Sequence, residues 1–261
     1  MSDRMNNENS LGSSALPSDA FLPGVSGDKC IAALVKAGGN EVESGKLLSP
    51  QSSSALAVNT FGWFLDRPRE LPPFPPLTDL AWPPGKVDVE RQMRFPWSGG
   101  RHPWLDAAVE TQNALVGIES KRFEPFRDGK GATLSPAYDR DMWGSDMGPF
   151  TTMRDRLRQS KIFQFLDAVQ LVKHAFGLVT EGERLGKRPI LLYLFAEPAE
   201  RSGKPIPAAS FQAHREEIAR FADAIAGAEV RFAACSYREW LVTWKDAAAS
   251  HGLAIAERFA P

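Results

Sequence analysis

Between Pro68 and Pro84 the chain carries seven prolines in 17 residues, a density that denies both the hydrogen bonding of a helix and the pairing of a central strand. Such a segment is a stiff surface connection. Its apolar members Phe74, Leu77, Leu80 and Trp82 suit packing along a domain better than a free linker, so the chain is not divided there. What lies on either side is expected to fold as one body. At 261 residues, 43% hydrophobic and 24% charged, the chain is large enough for a single well-buried domain without staples.

The charge balance limits the partners. Lys plus Arg number 31 against 32 Asp plus Glu, for a net charge of -1, which excludes a strongly basic nucleic-acid coat but leaves room for a local basic groove. Cys30 and Cys235 cannot build a disulfide framework or a four-cysteine zinc site, and they suit a reducing compartment. The four histidines are too dispersed for an HExxH zinc motif. The longest apolar run, Ile190 to Ala196, is far short of the roughly 20 residues a membrane helix needs, so no membrane contact is expected. The first 25 residues or so read as a polar Ser/Asn-rich tail with no apolar run behind the early arginine, hence no secretory leader and a cytoplasmic location. The domain is expected over 26–261.

Periodicity predicts a weak helix from Gly27 to Lys46 and a helix from Ala55 to Leu65. Beyond the prolines come three strands, Val87 to Phe95, Trp104 to Glu110 and Ala114 to Phe123, with links short enough for an antiparallel meander. A long loop from Arg127 to Pro149 precedes a helix over Thr152 to Leu178, the strand Ile190 to Ala196, a helix over Phe211 to Ala226, the strand Glu229 to Cys235 and a closing helix over Tyr237 to Ala249. That order is an α/β plan with a mixed sheet. The stretch GERLGKR at 182–188 has three residues between its glycines, where a P-loop needs four, and is rejected as a phosphate loop.

Chemistry concentrates in WLDAAVETQNALVGIESK, residues 104–121. Period-two alternation puts Trp104, Asp106, Ala108 and Glu110 on one face of the first strand, and Leu115, Gly117, Glu119 and Lys121 together on the next. Two charges at the end of a core strand are expensive unless paired or bound to something. An antiparallel hairpin brings Asp106 into register with Glu119, so two carboxylates and an ammonium converge. Hard oxygen ligands of this kind suit Mg²⁺, or Mn²⁺. Asp128, Gly129 and Lys130 repeat the acid-x-Lys spacing but lie in a Gly-rich loop without a strand before them. Glu110 is a rival to Asp106 as ligand, and Glu124 a further acidic candidate for which a surface role is preferred.

An aspartate 13 positions before Glu-x-Lys, at the ends of adjacent strands, resembles the PD-(D/E)XK nuclease superfamily. SSSALAVNTFGWF upstream and FLDAVQLVKHAFGL downstream resemble a bacterial group of restriction-endonuclease-like proteins, over roughly 45–245. The resemblance implies an αβββαβ core and a Mg²⁺-dependent endonuclease, with Asp106 and Glu119 as metal ligands and Lys121 beside the attacked phosphate. It implies help from the following helix through Gln170, and through Lys173 as a weaker candidate. DNA is the implied partner and a homodimer is compatible. Two departures stand out. Ser52 to Phe64 contains no acid, so a third carboxylate is Glu43, Glu90 or absent, and Leu105 stands where the motif's proline would be. The alternative is an inactive nucleic-acid-binding module of the same fold. His174 is expected to be a packing or surface histidine. Arg154, Arg156, Arg158, Lys161, Arg127 and Lys130 are expected to contact phosphates.

Overall fold

The β-branched and apolar alternation of the central segment folds as read, into three antiparallel strands: β1 (Lys86–Gln92), β2 (Trp104–Glu110) and β3 (Ala114–Lys121). The computed structural model describes residues 20–49, 51–127 and 133–261. Two helices precede the meander, α1 (Gly27–Ala37) and α2 (Ser53–Gly62), and two follow it, α3 (Gly148–Gln159) and α4 (Ala168–Leu185). The chain then enters β4 (Arg188–Phe195), which pairs parallel to β3, makes a short hairpin of β5 (Glu200–Arg201) and β6 (Lys204–Pro205), and continues through α5 (Ala208–Ala224) to β7 (Arg231–Ser236). Helices α6 (Tyr237–Leu241) and α7 (Asp246–Phe259) close the chain. The five long strands form one mixed sheet in the order β1-β2-β3-β4-β7, an α/β fold with helices on both faces. Among the described residues no helix is long and apolar enough to cross a membrane.

Each sheet face has its own core. Val116 and Ile118 point to one, with Phe61, Phe64 and Trp240 of the helices α2 and α6 and the turn after α2; Leu115, Leu191 and Tyr193 point to the other, with Leu171 and Leu178 of α4 and Phe221 of α5. Gly117 sets how closely α4 approaches. A Cβ there would stand 2.3 Å from Leu105 Cδ1 and 2.8 Å from Leu178 Cδ2, so the missing side chain lets the helix lie against the strand.

Several expected boundaries move. The helix read over 152–178 is two helices, broken at 160–167, because Glu217 of α5 accepts the backbone N–H groups of Gln164, Phe165 and Leu166 at 2.8, 2.7 and 2.9 Å and Asp167 then caps α4. The closing helix is likewise divided, α6 starting on a Ser236–Glu239 capping box. Helix α1 ends at Ala37, where Gly38 takes the left-handed conformation (φ 75°). Part of the expected tail is packed: Ala20 is buried, and Leu22 N–H donates to Asn59 Oδ1 at 2.6 Å; residues 1–19 lie outside the described residues.

Candidate functional site

Strands β2 and β3 pair as far as Ala107 opposite Ile118. One step on in the same register Asp106 comes opposite Glu119, and there a side chain replaces the ladder: Asp106 Oδ2 accepts the Ser120 N–H at 2.6 Å. The pleat also breaks here. Leu105 packs on the α4 side together with Ala108, whereas Ala107 packs on the other, so the strict alternation read from Trp104 to Glu110 fails at Asp106. The facing position in β1, between the Val89–Ala107 and Arg91–Leu105 pairs, is Glu90, which adopts φ 49°. A left-handed residue inside a strand, and not a glycine, is strained backbone of the kind found at functional sites.

Glu119 is 1% exposed. Its Oε1 is ion-paired with Lys121 and its Oε2 stands 2.8 Å from His174 Nε2. Burial alone would push its carboxyl up, but the Lys121 ammonium and His174 outweigh that and hold it at about 2. Lys121 is itself raised: burial opposes its charge, and Glu119, Asp106 and Glu124 more than offset this. It therefore remains an ammonium. Asp106 has less support. Burial, then the charges of Glu119 and Glu90, push its carboxyl well above the ordinary range despite Lys121 and the Ser120 N–H. Glu90 is pushed up to about 7 by burial and by Glu41 and Glu119. Of the two expected candidates for a third carboxylate, Glu90 thus joins the cluster electrostatically, while Glu43 is exposed.

Lys121 also lines a cavity of about 680 Å³, shared with Gln170, Tyr193, Glu124, Arg127 and Lys161. Gln170 and Lys121, read as site residues, therefore face one space. Lys173 is not on that wall. His174 corrects the expectation of a packing or surface histidine, since it is a partner of Glu119; its place between Leu171 and Leu178, one turn after Gln170, is the helical spacing that marks a sheet-facing position. Glu110 lies at the hairpin end of β2, near Lys86, Arg91 and Lys187, a structural ion-pair network. Glu124 bonds Ser53 Oγ and the Arg122 N–H.

The arginines read as phosphate contacts divide. Arg154 bonds Asp155 and the Tyr138 carbonyl, and Arg158 bonds Asp139 and the Ser135 carbonyl, so both brace the 135–139 turn. Arg127 and Lys161 line the cavity, and Arg156 is exposed. Residues 128–130 lie outside the described residues.

Among the described residues no three or more His, Cys, Asp or Glu side chains stand ready-made around a metal position. The donor set still fits a hard cation in the way Mg²⁺ is usually held, by one or two carboxylates with water completing the shell. Asp106 and Glu119 carry oxygens of that kind, one of those of Asp106 already accepting the Ser120 N–H and those of Glu119 facing Lys121 and His174. No protein-family model matches the chain, and neither the curated proteins nor the solved structures contain a match to it.

Proposed function

We propose that the chain is a divalent-metal-dependent nuclease that hydrolyses phosphodiester bonds, with DNA as substrate and a restriction-endonuclease-like core. The observation that carries this reading is the meeting of Asp106, Glu119 and Lys121 at one end of the sheet, where Lys121, though neither carboxylate, lines a cavity of about 680 Å³. Asp106 and Glu119 would hold Mg²⁺ or Mn²⁺. The chemistry such an ion would supply when bound is Lewis-acid polarisation of the phosphate and activation of water. The water oxygen bonds to phosphorus, the P–O3′ bond breaks, and the departing oxygen takes up a proton, leaving 5′-phosphate and 3′-hydroxyl ends.

Lys121 has the role its charge permits. As an ammonium it cannot abstract a proton, so it orients the water and stabilises negative charge growing on the phosphoryl oxygens. For that it gives up Glu119 Oε1 and turns to the cavity it already lines. Gln170 on the same wall donates its amide N–H to the phosphate. His174 holds Glu119 in place from behind.

A second reading has an observation of its own. Both Glu119 oxygens already face cationic or N–H partners within the chain, which suits a nuclease-like fold that binds nucleic acid without cutting it. Plasmid, linear and single-stranded DNA incubated with Mg²⁺, Mn²⁺ or chelator separate the two. Metal-dependent cuts that vanish in Asp106→Ala and Glu119→Ala establish the enzyme. Lys121→Ala should keep metal binding by calorimetry and lose turnover. Wild-type cleavage by a triple alanine variant would sink the nuclease reading.

A further inference from the structure

The cavity beside Lys121 does not end at the helices. A second space of about 630 Å³ shares Arg127, Lys161 and Phe165 with the first and runs on to Arg201 and Lys204 of the β5–β6 hairpin. The two form one groove. Its far wall is built: Ser202 and Gly203 take φ 51° and 74° at the hairpin tip, as a two-residue hairpin turn requires. Gln51 bonds Ser202, and Arg201 donates to the Phe126 carbonyl at 3.5 Å.

The groove combines two kinds of surface. Arg127, Lys161, Arg201 and Lys204 line it, and among the described residues none has a carboxylate partner. The two acids on its walls are committed, Glu124 to Ser53 and the Arg122 N–H, Asp167 to the Gln170 N–H. The same walls carry the half-buried rings of Phe126 and Phe165, centroids 6.4 Å apart, the first backed by Phe211 and His214. Charges that can follow a phosphate backbone, together with rings on which bases can stack, are the combination that single-stranded nucleic acid uses. A duplex hides the base faces that those rings would meet.

We infer that the groove from Lys121 to the β5–β6 hairpin binds an unpaired polynucleotide strand, its phosphates on Arg127, Lys161, Arg201 and Lys204 and its bases against Phe126 and Phe165. This deepens the nuclease reading and rests on it for direction: the strand is delivered to Lys121. The substrate of the site is then single-stranded DNA, or a duplex end or junction whose strand has come free.

Binding is measurable without cleavage. A fluorescein-labelled oligothymidylate of about 12 nucleotides, titrated in chelator with the full chain, should bind more tightly by anisotropy than the equivalent duplex or a poly-glutamate of similar charge. Lys161→Ala with Lys204→Ala should raise Kd by about tenfold or more and reduce the log Kd against log salt slope by about 0.7 per cation removed. Phe165→Leu, which keeps apolar volume, should raise Kd about fivefold with the salt slope unchanged. Circular dichroism and melting establish that each variant is folded. Equal Kd for wild type and the double lysine variant, or tighter binding of duplex or poly-glutamate, overturns the inference; if metal-dependent cleavage persists beside that result, the nuclease reading stands alone. Tight, lysine-dependent binding supports the groove even where Mg²⁺ yields no cuts, in which case the cleavage reading is the one that falls.

Discussion

Glu119 keeps its charge in a buried position because Lys121 and His174 stand against its two oxygens, whereas Asp106 has one backbone N–H and two repelling carboxyl neighbours. The two should respond in opposite ways to neutral replacement. Glu119→Ala leaves a buried ammonium without its partner and should cost about 3–5 kcal/mol in urea unfolding. Asp106→Asn keeps an acceptor for the Ser120 N–H while removing a carboxyl whose charge burial and its acidic neighbours disfavour, and should be neutral or stabilising in the absence of metal. A loss of stability in Asp106→Asn as large as that in Glu119→Ala would show that Asp106 is compensated. The Asp106, Glu119 and Lys121 constellation was readable from spacing because antiparallel register is a matter of counting. His174 reads only as a packing or surface histidine, since its spacing marks a sheet-facing position without naming the partner it meets there. Glu90 is legible as one of two candidates for a third carboxylate, but the left-handed backbone at that position is announced by no residue type.

At the scale of elements, local pattern determines strands well here and helix breaks poorly. Although its alternation breaks at Asp106, β2 has the expected bounds, Trp104 to Glu110, since both its neighbours are close in sequence. The break between α3 and α4 depends on Glu217, some 50 residues downstream, whose carboxylate takes three backbone N–H groups. Nothing near residue 164 in the sequence reports that. Hydrogen bonds to a charged acceptor are worth about 1.5–3 kcal/mol each, so Glu217→Ala should cost roughly 3–6 kcal/mol, less than the full sum because water can reach part of the loop. Hydrogen exchange should show the amides of 164–166 losing protection before those of α4. Unchanged protection there would mean that the loop holds itself. Because this segment forms a wall of the cavity beside Lys121, the same variant should weaken oligonucleotide binding.

For the whole molecule, acid sensitivity follows from two buried histidines, His214 beside Tyr193 and His251 against α2. Burial lowers His214 to about 4 and His251 to about 4, the latter while its Nε2–H donates to the Asn59 carbonyl at 2.9 Å. Both lie below the ordinary value of about 6.5. The folded state binds fewer protons than the unfolded chain in between, so their contribution is complete above about pH 6.5 and is lost as pH falls toward 4, on the order of 2–3 kcal/mol each. His251→Gln should narrow the difference in unfolding free energy between about pH 7.5 and pH 4.5 by that order; an unchanged difference refutes the assignment. The proline segment has a consequence at this scale too. Strand β7 is an outer strand of the sheet, and the 76–79 stretch is tied to it by Arg231, which bonds the Pro76 carbonyl at 2.9 Å and Asp79 at 2.7 Å. A run poor in N–H donors cannot extend a sheet, so it shields an edge without offering a new one. Releasing it with Arg231→Ala should therefore show itself in colloidal behaviour: concentration-dependent self-association on refolding, seen by light scattering, through β-edge pairing between molecules that remain competent in every other respect.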